Sequence, residues 1–267
     1  GSGAVAGEEV ELDAGAARAL RRTIGTGRLE DLTATVVPEG RTEPVSVALA
    51  AFAMTADEPF EGAPTNVRVS FDNLAFVLPA GSREEGVVQL RALGYEEIDV
   101  SGVFAARWNA EREEIAIKEA SLSGVEMGRL ALSGDFGNVG PGAFSSDQMV
   151  AMMTWLGATA KSLRVSVVDE GLAERLLAMQ AAEQGVSAED LRSQGAMMAR
   201  AMLPAVLGGT PEARALGDAV ASFVEAPGEL DVVVTSADPA GIPVMDLGQT
   251  QNPLELLPLV TIEAQAR

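Results

Sequence analysis

The sequence predicts an α+β protein in which a curved antiparallel β-sheet packs against a mainly helical segment, residues 146–224. Three observations predict this class. Apolar and polar residues alternate through much of the stretch from Tyr95 to Phe136, as in strands with one buried face. Helical spacing dominates from there to Val224. Strand-like segments then return, so the order is not an alternating βαβ pattern.

The central stretch predicts three neighbouring strands. Every second residue from Ile98 to Trp108 is apolar or glycine. A second run, Ile115–Leu122, changes phase as a one-residue bulge would cause, and a third covers Leu130–Phe136. Polar links join the three runs, which indicates an antiparallel meander.

The segments before this meander predict more sheet between two helices. Asp13 is expected to cap a first helix, which Gly25 and Gly27 end. A second helix is expected at Arg83–Leu93, stopping at Gly94. The strands predicted between them are 29–37, 45–54 and 67–78, separated by turn-forming stretches at 38–40 and 57–64.

The segments after the meander predict four helices and the returning strands. Ser145 or Ser146 is expected to cap the first of these helices, which carries several methionines. The other helices are expected at 173–182, 188–207 and 211–224, the strands at 161–168, 230–234 and 259–266, and a short helical turn at 254–257.

One domain is predicted, because the late strands need the edges of the central sheet as partners. It comprises a sheet over 29–137, a helical insert over 146–226 and returning strands at 161–168, 229–235 and 259–266. A division near 137–142 is the alternative.

Composition restricts the possible functions. A formal charge of −20 without any cluster of Lys or Arg makes nucleic acid binding unfavourable. The chain has no Cys and no His, which removes His-based catalytic triads, thiolate chemistry and His-based metal sites. We therefore expect a protein that is not an enzyme, with no cofactor, no metal site and no catalytic residue.

The first residues favour an exported protein. Gly1–Gly3 resembles a remnant of cloning, and Ala4-Val5-Ala6 before Gly7 has the small-x-small form of a signal-peptidase site. A periplasmic location is expected on this reading, although an Ala-rich chain also produces the pattern by chance. No run of eighteen apolar residues is present, so no membrane-spanning segment is expected.

The methionines and tryptophans suggest where a ligand could bind. Seven methionines lie between positions 149 and 202, where flexible thioethers either line an apolar groove or fill the core. Large apolar residues on faces expected to meet are the candidate ligand-lining set: Phe104, Trp108, Met152, Met153 and Met198.

The stretch from Ile115 to Phe136 reads IAIKEASLSGVEMGRLALSGDF. It resembles the strand-turn-strand unit of AsmA-like and related bacterial envelope proteins, in which similar runs recur along long curved sheets. The resemblance covers about a tenth of the chain and transfers no site residue. It implies a curved sheet with an apolar inner face, a periplasmic location and a link to lipid handling or envelope maintenance.

Three functions stay open. The leading hypothesis is a non-enzymatic periplasmic protein that carries a lipid or another hydrophobic molecule in a cavity between sheet and helices. The first alternative is an interaction module that pairs with another envelope protein, which a contiguous exposed apolar patch would favour. The second is a hydrolase that uses carboxylates alone.

Overall fold

The computed structural model describes residues 25–36, 45–249 and 253–267. Within these ranges the protein has ten β-strands and six α-helices, which confirms the α+β class. The predicted helix that begins at Asp13 and the predicted turn at 38–40 lie outside the described residues.

The ten strands form one open antiparallel sheet. Their order is β1-β2-β3-β4-β5-β6-β7-β8-β10, and the short β9 pairs with β7. The strands are β1 (Gly25–Val36), β2 (Val45–Phe60), β3 (Ala63–Val77), β4 (Glu97–Asn109), β5 (Glu114–Gly124), β6 (Gly128–Gly137), β7 (Thr159–Asp169), β8 (Glu229–Ser236), β9 (Ile242–Pro243) and β10 (Val260–Ala266).

The helices follow the predicted positions, with one addition near the end of the chain. They are α1 (Glu85–Ala92), α2 (Gln148–Leu156), α3 (Leu172–Gln184), α4 (Ala188–Val206), α5 (Pro211–Glu225) and α6 (Val244–Gln249). Hydrophobic periodicity predicted the first five. It did not indicate α6, which is only six residues long.

The described residues fall into two compact units. One contains residues 25–36, 45–105 and 122–125, and the other contains 106–121 and the described residues from 126 onward. The single-domain organisation stays a prediction, as does the alternative division near 137–142.

In the first unit, β2 and β3 form a longer hairpin than the sequence indicated. The stretch 57–64 was expected to separate strands, but both strands continue through it and only Glu61 and Gly62 form the turn. Both turn residues have positive φ, 49° and 80°, as in a type I′ hairpin. Phe60 pairs with Ala63 and closes the turn, and Pro59 pairs with Pro64 in the next position along the strands. That position exchanges no amide hydrogen bonds, so two prolines are tolerated there.

In the second unit, α5 packs across β8 and β10 and lies against α4. Small side chains make this close approach possible, since a Cβ at Gly217 would lie 3.1 Å from the carbonyl oxygen of Ala199. The buried residues of α5 are Ala213, Gly217, Ala219 and Ala221. Thin layers of small residues agree with the Ala-rich and Gly-rich composition.

Candidate functional site

The predicted ligand-lining residues do not share one environment. Trp108 is buried, with 4% of its surface exposed, whereas Phe104 is 45% exposed although it has the same strand phase. Met152, Met153 and Met198 are each half exposed or more. Alternation along a strand predicts which side chains share a face, but it does not predict whether another layer covers them.

Trp108 anchors the loop that follows β6 and does not line an open cavity. Its indole Nε1 donates a hydrogen bond to the carbonyl oxygen of Val139 at 2.7 Å, and its ring centre lies 4.6 Å from that of Phe144. Val139 is fully buried, and its amide donates to the carbonyl oxygen of Glu113 at 2.8 Å. Phe144 ends the 3₁₀ helix Pro141–Phe144, which this arrangement holds in place just before α2.

Helix α2 begins at a different cap from the one predicted. Asp147, not Ser145 or Ser146, is the N-cap, and its Oδ1 accepts hydrogen bonds from the amides of Met149 and Val150 at 2.8 and 3.4 Å. The Ser145 hydroxyl instead accepts from the Asp147 amide. A carboxylate is favoured at this end of a helix, because it satisfies free amides and interacts well with the helix dipole.

One side of α2 faces the preceding 3₁₀ helix. A Cβ at Gly142 would lie 2.5 Å from Thr154 Oγ1 and 3.3 Å from Val150 Cγ1, so this side of α2 is in close contact with Gly142. By helical spacing Met152 lies opposite this contact and Met149 is turned about 120° from it, whereas Met153 lies only about 60° from Val150.

Helix α2 exposes large apolar side chains around most of its circumference, including Val150 on the side toward Gly142. The helix has no charged residue. Its large apolar residues are between 41% and 63% exposed, and together they define the α2 surface: Met149, Val150, Met152, Met153, Trp155 and Leu156. The three methionines of α2 therefore do not fill the core, whereas Met179 on α3 is half-buried.

Helix α6 begins next to the end of α2 and exposes apolar side chains of its own. β9 pairs with the start of β7, where Pro243 faces Thr159. The amide of Val244 then donates to the carbonyl oxygen of Ala158 at 2.9 Å, two residues after α2 ends. Val244, Met245 and Leu247 are exposed large apolar residues. Sequence reasoning missed this contribution, although the apolar cluster after Gly241-Ile242-Pro243 was a usable signal.

The chain segments that carry α2 and α6 contribute only negative charge. Neither 136–160 nor 237–259 contains Lys or Arg. Their acidic residues are Asp147, Asp238, Asp246 and Glu255. A binding partner with cationic groups around an apolar face would complement such a surface, whereas an anionic lipid surface would not.

A second feature is an open groove of about 480 Å³ where α4 meets α5. Its lining residues are Ser193, Met197, Arg200, Ala201 and Glu225, so Met198 is not among them. Arg200 makes a two-point ion pair with Glu225 at 2.7 and 2.8 Å. These hydrogen bonds raise the pKa of Arg200 and lower the pKa of Glu225. The charged groups that line the groove are thus already hydrogen-bonded to each other.

Two features are absent from the described residues. No group of three or more Asp or Glu side chains in ranges 25–36, 45–249 and 253–267 is placed to hold a metal ion. Within the same part of the chain, no helix combines the length and apolar character needed to cross a membrane.

Fold and surface together define an α+β protein with an open antiparallel sheet and an exposed, uncharged apolar helix. Residues 121–267 match the model of a protein family described as "Uncharacterized protein". Because this match covers more than half of the chain, the protein belongs to that family, and α2 and α6 both lie in the matched region. No curated protein and no solved structure matches the chain.

Proposed function

We propose that the protein is a non-enzymatic binding protein of the cell envelope, and that its α2 surface docks on an apolar, cationic face of a partner protein. The observation that carries the proposal is the exposure of six large apolar side chains on one short uncharged helix. Exposed apolar patches of this kind are typical of interaction sites. The proposal corresponds to the interaction module that the sequence left open as the first alternative to a lipid carrier.

The nature of the partner follows from charge. Apolar side chains supply most of the binding free energy, and charged groups at the rim select the partner. Since the segments around α2 and α6 supply only carboxylates, we infer that the partner presents Lys or Arg around an apolar face. A basic amphipathic helix has this chemistry.

Trp155 provides the direct test, because it lies on the α2 surface and is 43% exposed. The probe is a synthetic amphipathic helix with leucines on one face and lysines at the rim, compared with the same peptide carrying glutamates at the rim. We expect the lysine peptide to shift Trp155 emission to shorter wavelength and the glutamate peptide to bind much more weakly.

Matched variants identify the surface. M152K/M153K should abolish binding of the lysine peptide, because it places two charges in the apolar contact and repels the cationic rim of the peptide. M197K/M198K is the control, since these methionines are also exposed but lie on α4. Equal binding of both peptides, or loss of binding only in the α4 variant, would contradict the proposal. Binding to phosphatidylcholine vesicles without binding to either peptide would favour a lipid surface instead.

The lipid-carrier hypothesis, with its curved sheet and periplasmic location, stays a prediction. The groove between α4 and α5 is a candidate site different from the predicted cavity between sheet and helices, and Met197 and Ala201 offer apolar contacts in it. Native mass spectrometry of the purified protein tests it. A bound lipid that is lost in Ala201→Glu would place the carrier site in this groove.

A further inference from the structure

Three methionines of α2 have the spacing of a metal-binding cluster. Met149, Met152 and Met153 stand at positions i, i+3 and i+4 of a regular helix. With about 100° of rotation per residue, Met153 lies about 40° and Met152 about 60° from Met149 around the helix axis. Met149 is therefore a surface neighbour of each of the other two, with Cβ atoms about 5–6 Å apart, while Met152 and Met153 lie about 100° apart on either side of it. Their thioethers can therefore reach a common point above one face.

The surroundings leave these side chains able to converge. All three are at least half exposed, including Met153, which lies about 60° around the axis from Val150, the residue in contact with Gly142. Methionine has three rotatable bonds beyond Cα, so the sulfur atoms can reorient without moving the backbone. Asp147 fixes the first turn of the helix through the amides of Met149 and Val150.

The chemistry of the donors selects the ion. Thioether sulfur is a soft, neutral ligand that favours Cu⁺ over hard cations such as Mg²⁺ or Ca²⁺. The chain has ten methionines and neither Cys nor His, so methionine is its only soft ligand. A formal charge of −20 also favours the approach of a cation.

We propose that Met149, Met152 and Met153 form a surface site for one soft monovalent metal ion, Cu⁺ or its redox-stable analogue Ag⁺. The ion binds by coordination alone, without any change in its oxidation state. The site does not depend on the docking function proposed above, although both use the outer side of α2.

Helix α4 provides a matched comparison. Met197, Met198 and Met202 are similarly exposed, but they span about 140° around the helix axis, compared with about 100° for the three methionines of α2. Three sulfur atoms at these positions cannot meet above one face as easily. The α4 cluster should therefore bind Ag⁺ more weakly than the α2 cluster.

The experiment titrates the full chain with Ag⁺ in chloride-free buffer and measures affinity and stoichiometry by calorimetry. M149L/M152L/M153L keeps the apolar volume but removes the sulfur atoms. M197L/M198L/M202L is the control. We expect the α2 variant to lose the tightest Ag⁺ site, with affinity at least about tenfold weaker, while the control retains it.

A second measurement covers the case in which a triple variant folds poorly. Wild-type protein labelled with ¹³C at its methionine methyl groups is titrated with Ag⁺ and followed by NMR. We expect the resonances of Met149, Met152 and Met153 to shift first and together. The proposal is overturned if no methionine resonance shifts below equimolar Ag⁺, or if the resonances of the α4 methionines shift first. It is also overturned if an α2 variant that folds keeps the tightest Ag⁺ site. Peptide binding in the absence of Ag⁺ reports on docking separately.

Discussion

The strongest prediction concerns Trp108→Phe, because the structure ties this one side chain to the position of α2. The substitution removes the hydrogen bond from Nε1 to the carbonyl oxygen of Val139, which is 0% exposed. A buried carbonyl left without its partner costs about 1–3 kcal/mol. The smaller ring also leaves unfilled volume, which adds about 1 kcal/mol.

We therefore expect Trp108→Phe to lower the free energy of unfolding by about 2–4 kcal/mol. Equilibrium unfolding in urea, followed by far-UV circular dichroism, measures this change without relying on tryptophan emission. Trp155→Phe is the control, because it makes the same change of side chain at an exposed position. It should change the free energy by no more than about 0.5 kcal/mol.

The same substitution tests whether Trp108 supports the start of α2. Hydrogen exchange should become faster at the amides of Met149 and Val150, since the 3₁₀ helix before them loses its anchor. Phe144→Leu should show a coupling of about 0.5–1.5 kcal/mol with Trp108→Phe in a double-mutant cycle. A loss of stability below about 0.5 kcal/mol together with unchanged exchange in α2 would refute the reasoning.

Three further substitutions test other contacts. Lys161 donates a hydrogen bond to Glu114 at 2.6 Å, and this lowers the pKa of the Glu114 carboxyl. The ionised pair therefore stabilises the fold fully above the ordinary glutamate pKa. This stabilisation is lost as the pH falls through the lowered pKa. Glu114→Gln should therefore lower the thermal midpoint at about pH 7 and differ less from wild type at about pH 3. Glu61→Asn should raise stability by up to about 1 kcal/mol in urea unfolding, because Asn-Gly suits a turn with φ of 49° at its first position; no gain would contradict that turn assignment. Gly134→Ala should destabilise by about 1–3 kcal/mol, because its Cβ would lie 2.6 Å from the carbonyl oxygen of Ser162, and an unchanged midpoint would show that the strands can separate there.

Periodicity in the sequence was sufficient to predict most of the fold. Strands with one covered face alternate, and helices keep a period of about 3.6 residues, so β4 to β7 and α3 to α5 were found near their observed positions. Elements whose form depends on local geometry were predicted less well. Pro59 and Pro64 indicated a break in the sheet, but their pairing next to a two-residue turn makes both compatible with long strands.

The candidate site could not be predicted in the same way, because residue type does not determine which apolar face is covered. Trp108 and Met153 are both large apolar residues, yet the first is buried against Phe144 and the second is 60% exposed. That difference arises from the path of the chain after β6, where the 3₁₀ helix covers Trp108 and contacts only one side of α2. Single-sequence patterns contain no such information.

Helix α2 also allows the two proposed uses of its surface to be separated by chemistry. A helix without charge that is apolar on most sides is normally covered, so its exposed outer side requires either a cover or a ligand. Replacing Met149, Met152 and Met153 by leucine keeps the apolar surface and removes every soft donor from the helix. Peptide docking should then persist while Ag⁺ binding disappears. Lysine at Met152 and Met153 should instead abolish docking, since burial of a charge in an apolar contact is unfavourable and the added cations repel a cationic partner.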